Sequence, residues 1–166
     1  AEMRLTDTAG EDWFVTKSTS TGTVSTGEGA SAYNDAAISI STGVWTDLTF
    51  NQEKWDDNSI HDTAANTGRL TCQNGGRYII YGAASMSMEA NTQLNAAIFL
   101  TNATYLSLQT MVTPVAASLN AAASRIYNLT TDDYVTFRIL HDNANAANVV
   151  ADSEYTPIFS MELISS

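Results

Sequence analysis

The sequence predicts an all-β chain folded as an antiparallel sandwich or barrel, and three observations predict it. Apolar residues alternate with polar ones in several short runs, as on strands with one buried face. About eight such runs recur at spacings of roughly 8 to 12 residues, divided by Asn, Asp, Gly, Thr and Pro turn chemistry, with no alternation of strand and helix. No stretch has helical periodicity beyond a turn. The best helical competitor on propensity, residues 115–123 with their many alanines, follows Pro114 and lacks a charged face, so it reads as a loop leading into a strand.

Residues 1–31 stand apart as an extended N-terminal arm or linker, and residues 32–166 form one domain. The run 16–31 is almost wholly Ser, Thr and Gly, a composition that buries too little apolar surface to offset its ordering entropy. Just before it, Trp13, Phe14 and Val15 form a compact apolar cluster flanked by Glu11, Asp12 and Lys17. Such a cluster either docks on a partner or folds back onto its own domain.

Within the domain, residues 44–50 place Val44, Leu48 and Phe50 on one strand face and Trp45, Asp47 and Thr49 on the other. Residues 77–86 are apolar on both faces, as in a strand covered on both sides, with Tyr78 and Tyr81 pointing opposite ways. Further strands are expected at 93–101, 104–113 and 122–129. Residues 133–140 turn Val135, Phe137 and Ile139 inward, and residues 158–163 do the same with Phe159, Met161 and Leu163.

The totals narrow the function. At 166 residues, with 44% hydrophobic and 15% charged side chains, the chain builds its own core without staples. Eighteen acidic residues against seven basic ones give a formal net charge of -11, which repels phosphate backbones and anionic headgroups, so neither nucleic acid nor a membrane is an expected partner. A single cysteine, Cys72, forms no intrachain disulfide. No window approaches the roughly 18 consecutive apolar residues of a spanning helix. The first residues lack the basic and apolar regions of a secretory signal, which is the expectation for a chain made in the cytoplasm.

Few residues carry chemistry. Asp56, Asp57, Asn58, His61 and Asp62 are the one cluster of hard oxygen donors, with Asp56, Asp57 and Asp62 as its carboxylate candidates, but they lack the alternating spacing of a calcium loop, so a hydrogen-bonded structural loop is expected and no metal or cofactor. His61 and His141 have no nucleophile signature to serve, and a catalytic role is not expected. Cys72 suits a small buried position. The sequons at Asn102 and Asn128 matter only in a secreted eukaryotic protein and are taken as chance matches.

The stretch Gly76-Arg77-Tyr78-Ile79-Ile80-Tyr81, preceded by Arg69-Leu70-Thr71 and an Asn-Gly-Gly turn, resembles the element of the C1q family in which Gly-x-Tyr opens a central strand. Leu129 to Val135 is similar to that family's Leu-x-x-Gly-Asp-x-Val turn, and Thr156 to Leu163 to its closing strand. The resemblance spans residues 32–164 and departs from the family pattern at Asp132, where Gly is usual, at Cys72, where an apolar residue or Pro is commoner, and in having no collagen-like repeat. Trp55 to Asp62, followed by Arg69-Leu70-Thr71, looks like the variant of this module found in bacterial and bacteriophage structural proteins.

The resemblance implies an antiparallel jelly roll of the C1q/tumour-necrosis-factor-like type, packed as a homotrimer about a column of aromatic and aliphatic residues. Tyr78, Tyr81 and Tyr134 are its candidate trimer-interface residues, and Trp13, Phe14 and Val15 its candidate docking residues. It further implies a non-enzymatic protein of the virion surface, made in the host cytoplasm, that decorates a bacteriophage capsid with the major capsid protein or another virion component as partner. The alternative is the receptor- or glycan-binding head of a phage fibre or a bacterial adhesion module, for which Trp55 and Tyr105 are the aromatic candidates.

Overall fold

The computed structural model describes residues 27–101, 104–152 and 156–166, together with the backbone of 3–6 and 12–15. All regular structure among the described residues is β, and every pairing is antiparallel. Strands β1 (Met3–Thr6) and β2 (Asp12–Val15) pair as a hairpin in the N-terminal arm.

Two sheets make the domain. The larger contains β3 (Gly29–Tyr33), β4 (Ile38–Ile40), β6 (Gln52–Asp57), β8 (Gly76–Met88), β11 (Ala117–Leu129), β13 (Ala147–Val149) and β14 (Ile158–Ser165). Strand β8 is its spine: β11 pairs along one side over the full length, while β14 and then β13 share the other. Beyond β14 lie β3 and then β6. The smaller sheet contains β5 (Thr46–Asp47), β7 (Arg69–Thr71), β9 (Thr92–Leu100), β10 (Thr104–Thr113) and β12 (Tyr134–His141) in the order β10-β9-β12, with β5 and β7 sharing the far side of β12.

Each sheet turns its alternating apolar face toward the other. Tyr78 and Ile80 of β8 and Phe159 and Met161 of β14 meet Val135, Phe137 and Ile139 of β12 and Leu94 and Ile98 of β9 in one core. Phe159 stands 6.0 Å from Phe137 across the sheets and 5.6 Å from Phe50, so three rings form its centre. Burying each such side chain contributes about 1.5–3 kcal/mol. Gly82 fits because a Cβ there would lie 2.5 Å from the Phe137 ring.

The expected strands at 77–86, 93–101, 104–113, 133–140 and 158–163 are present, with the inward residues predicted for β12 and for Phe159 and Met161 of β14. Three expectations need correction. The domain begins before residue 32, because β3 already runs between β14 and β6 from Gly29 and Glu28 is buried. Residues 117–121 are strand, not loop, since β11 pairs with β8 from Ala117 onward. In 44–50 the ladder with β12 covers only Thr46–Asp47, extended by the Leu48 N–H on the Phe137 carbonyl, and Val44 is 54% exposed, although Leu48 and Phe50 are buried.

Candidate functional site

The outer face of the larger sheet carries the site. Because Tyr78 and Ile80 point into the core, Ile79 and Tyr81 point out, at 43% and 41% exposure. Register places neighbours beside them: Ile126 of β11 lies opposite Ile79, and Ser124 and Ser160 flank Tyr81. Ser160 is in turn paired with Ser31, and Ser31 with Trp55 of β6. The Trp55 ring lies across Gly29, so close that a Cβ on Gly29 would stand 2.7 Å from it. Trp55, Ile79, Tyr81, Ser160 and Glu162 thereby enclose a mostly apolar depression of about 170 Å³. Trp55 and Ile126 are themselves 41% and 54% exposed. Nothing in the described protomer covers this face, and large side chains grouped so make it the candidate surface for a macromolecular contact.

Of the predicted interface residues, the structure brings only Tyr81 to this face. Tyr78 has no exposure, so no second copy can touch it, and its assignment to an interface is withdrawn. A doubly apolar strand hides which of its faces is inner, and here the even residues took the core. Tyr134 lies on the opposite side of the molecule, on the smaller sheet, with the Arg69 guanidinium 4.9 Å above its ring. Trp13, Phe14 and Val15 belong to β2, and their side chains lie outside the described residues.

Tyr78 instead belongs to a network that sequence reasoning missed, centred on Glu28. The buried Glu28 carboxylate accepts hydrogen bonds from the Tyr78 hydroxyl, the side-chain amides of Asn74 and Asn58, and the backbone N–H groups of Asn74 and Gln73. Burial alone raises its pKa, but the donors of Tyr78, Asn74 and Asn58 outweigh that and hold the carboxyl below its ordinary value. Burial and the bond to Glu28 push the Tyr78 phenol upward. The network ties the start of β3 to the end of β6 and to the turn that opens β8. Because Glu28 follows a Ser/Thr/Gly run, no local pattern in the sequence marks it.

The acidic loop spends its carboxylates on its own backbone. Asp56 accepts the N–H groups of Ile60 and His61, and Asp62 those of Ala65 and Ala64, which hold its carboxyl below the ordinary value. Asp57 ends β6. His61 is buried between Glu53, 2.9 Å from Nδ1, and the Thr67 carbonyl, 3.2 Å from Nε2. His141 accepts the Asn143 N–H at Nδ1 and donates from Nε2 to the Ile40 carbonyl, the pattern of one neutral tautomer. Both histidines are thus committed to structure. Cys72 is buried, with its thiol against the Asn74 carbonyl, and burial raises its pKa.

No protein-family model matches the chain, and no curated sequence matches it as a relative. Solved structures do match. Murine APRIL aligns with a TM-score of 0.64 at 13% identity, over 83% of this chain and 99% of that one. The Eiger TNF of S. frugiperda aligns at 0.60 and 13%, over 84% and 94%. The globular domain of zebrafish complement 1qA aligns at 0.57 and 19%, over 82% and 97%. Likeness over almost the whole length of each, together with the two antiparallel sheets of this chain, shows that it folds as a jelly roll of the C1q/tumour-necrosis-factor-like type.

Proposed function

We propose that this chain is a non-enzymatic structural protein of the virion surface, a homotrimeric jelly roll that decorates and cements a bacteriophage capsid, with its N-terminal arm as the docking element. The observation that carries the trimer is the uncovered face of Trp55, Ile79, Tyr81 and Ile126. On a chain with a net charge of -11, grouped apolar side chains face water only at a cost that association removes. Three arms per assembly would make attachment multivalent, so weak single contacts add up to firm binding. The major capsid protein is the partner this reading names, and the particle surface, after synthesis in the host cytoplasm, its location. The commitment of both histidines and the buried thiol to structure supports a non-catalytic role, and the reading needs no cofactor.

Light scattering tests the assembly: the expected mass is about three times that of the 17.8 kDa chain. Ile79→Glu with Tyr81→Arg should yield a folded monomer, and a wild-type monomer at micromolar concentration overturns the trimer. Docking is tested by truncation, which must spare Glu28. A chain lacking residues 1–26 should remain a folded trimer yet fail to bind capsids, and full occupancy by it overturns the arm's role.

A second reading, a receptor- or glycan-binding head of a phage fibre or a bacterial adhesion module, is favoured by one observation. Trp45, Phe99 and Tyr105 cluster on the outer face of the smaller sheet with centroids 4.2–6.0 Å apart, and Tyr105 is 50% exposed. Co-purification with tail fibres instead of capsids would decide for it.

A further inference from the structure

The two buried histidines meet opposite surroundings. His141 faces one donor and one acceptor, which a neutral ring satisfies. Both nitrogens of His61 face acceptors: Oε1 of Glu53 stands 2.9 Å from Nδ1, and the Thr67 carbonyl 3.2 Å from Nε2. A neutral imidazole has one N–H and one bare lone pair, so it can donate to only one of them. The doubly protonated ring makes both bonds. The His61 side chain has no exposure, so solvent does not reach the ring to replace a bond that is lost.

The ring joins two parts of the chain that lie in different sheets. Glu53 belongs to β6, the edge strand of the larger sheet, and Thr67 to the turn that leads into β7 of the smaller one. The same Thr67 carbonyl accepts the Phe50 N–H at 2.9 Å, and the Arg69 N–H closes the turn on the Asn66 carbonyl at 3.1 Å. Three carboxylates and one guanidinium stand around the ring. Glu53 and Asp56 come from β6, where Asp56 also takes the backbone N–H of His61, and Asp62 comes from the ring's own loop. Arg69 of β7 lines the same hollow as His61 and Asp62.

These contacts decide what happens when the ring gives up a proton. The remaining proton stays where the acceptor is charged, on Nδ1 toward Glu53. Bare Nε2 then meets the Thr67 carbonyl, lone pair against lone pair, and the turn 66–69 loses its tie to β6.

We propose that His61 is a pH-sensitive latch, closed between β6 and the turn 66–69 when the ring is doubly protonated and eased when it is neutral. The latch contributes stability on the acid side of the ring's titration and loses it as the pH rises through that titration. It goes beyond the capsid-decoration reading and holds whether the protein sits on a capsid or a fibre.

Two measurements on the ¹⁵N-labelled full chain, scanned from about pH 5 to about pH 8, test it together. Long-range ¹H–¹⁵N spectra read the proton on each ring nitrogen, and hydrogen exchange of the Phe50 and Arg69 amides, corrected for its intrinsic pH dependence, reads the turn. Nε2 should lose its proton and Nδ1 keep it, and the two amides should exchange about fivefold faster once the ring is neutral, with a shared midpoint. Glu53→Gln, on a side chain 30% exposed, removes the charged partner and should move both midpoints down together by about one pH unit. His61→Gln, which cannot titrate, should abolish the step in exchange. The proposal is overturned if Nε2 is bare throughout the scan, if the ring titrates without a change in exchange, if the midpoints stay put in Glu53→Gln, or if the step survives in His61→Gln.

Discussion

Inside the protomer the Tyr78 hydroxyl stands 2.6 Å from Oε1 of Glu28, a residue fifty positions away in the chain. The same hydroxyl lies 2.7 Å from the Asn74 carbonyl, but it has one proton, and the charged carboxylate is the stronger acceptor. This contact anchors the first strand of the domain to the turn before its central strand.

Tyr78→Phe should therefore destabilise the domain by about 1–3 kcal/mol, the cost of leaving a buried charged group short of a donor. Glu28→Gln should cost a similar amount. Urea unfolding checks both. The double variant should lose less than the sum of the two, because each substitution removes the same bond.

Acid should act through the same carboxylate. Its pKa is lowered in the fold from an ordinary 4.5, so its contribution is complete above that value and is lost as the pH falls through the lower, folded value. Stability should decline below about pH 4.5, and the decline should be shallower in Glu28→Gln. Equal slopes in the two proteins would assign the acid limb to other groups, such as Asp62.

Cys72 should be unreactive in the native protein. It has no exposure, and burial raises its pKa, so little thiolate forms and none of it is reachable. A thiol reagent such as DTNB should label the unfolded chain rapidly and the folded chain only at the rate of opening.

Gly82→Ala should destabilise by about 1–3 kcal/mol through overpacking against the Phe137 ring. Phe137→Leu in the same chain should recover part of that loss, although alone it leaves a cavity. A thermal melt of the three variants measures the coupling.

Much of this fold was legible because two of its eight-residue strands obey one rule. In β12 and β14 every second residue is large and apolar, and those residues are the ones that meet in the core. Strand β3 was illegible for the opposite reason. Gly29, Ala30, Ser31 and Ala32 are all buried, yet they are small, and at Gly29 the Trp55 ring and the Met161 carbonyl of β14 leave no room for a side chain. Small residues give no periodic signal, so the strand read as linker, and Glu28 was lost with it. Asp132 shows a departure that the structure explains: its φ of 72° is the left-handed conformation that glycine adopts most freely and that Asp tolerates. Of the two tyrosines expected on opposite faces of β8, Tyr81 lies on the outer face and Tyr78 in the core, and a strand apolar on both faces does not declare which one is inward. Trp55 was legible as an aromatic candidate, but its place beside Ile79 depends on the pairing of β6, β3 and β14, which no local pattern encodes.

The Trp55 ring, packed against Gly29 and 41% exposed, is also a built-in optical reporter. An indole in contact with water emits toward the red, and one covered by another molecule emits toward the blue. The chain has three tryptophans, and they sit in different places: Trp13 in the N-terminal hairpin, Trp45 on the smaller sheet, and Trp55 on the larger. Single-tryptophan versions of this protein would separate arm docking, ligand capture and subunit association by colour, with no label attached.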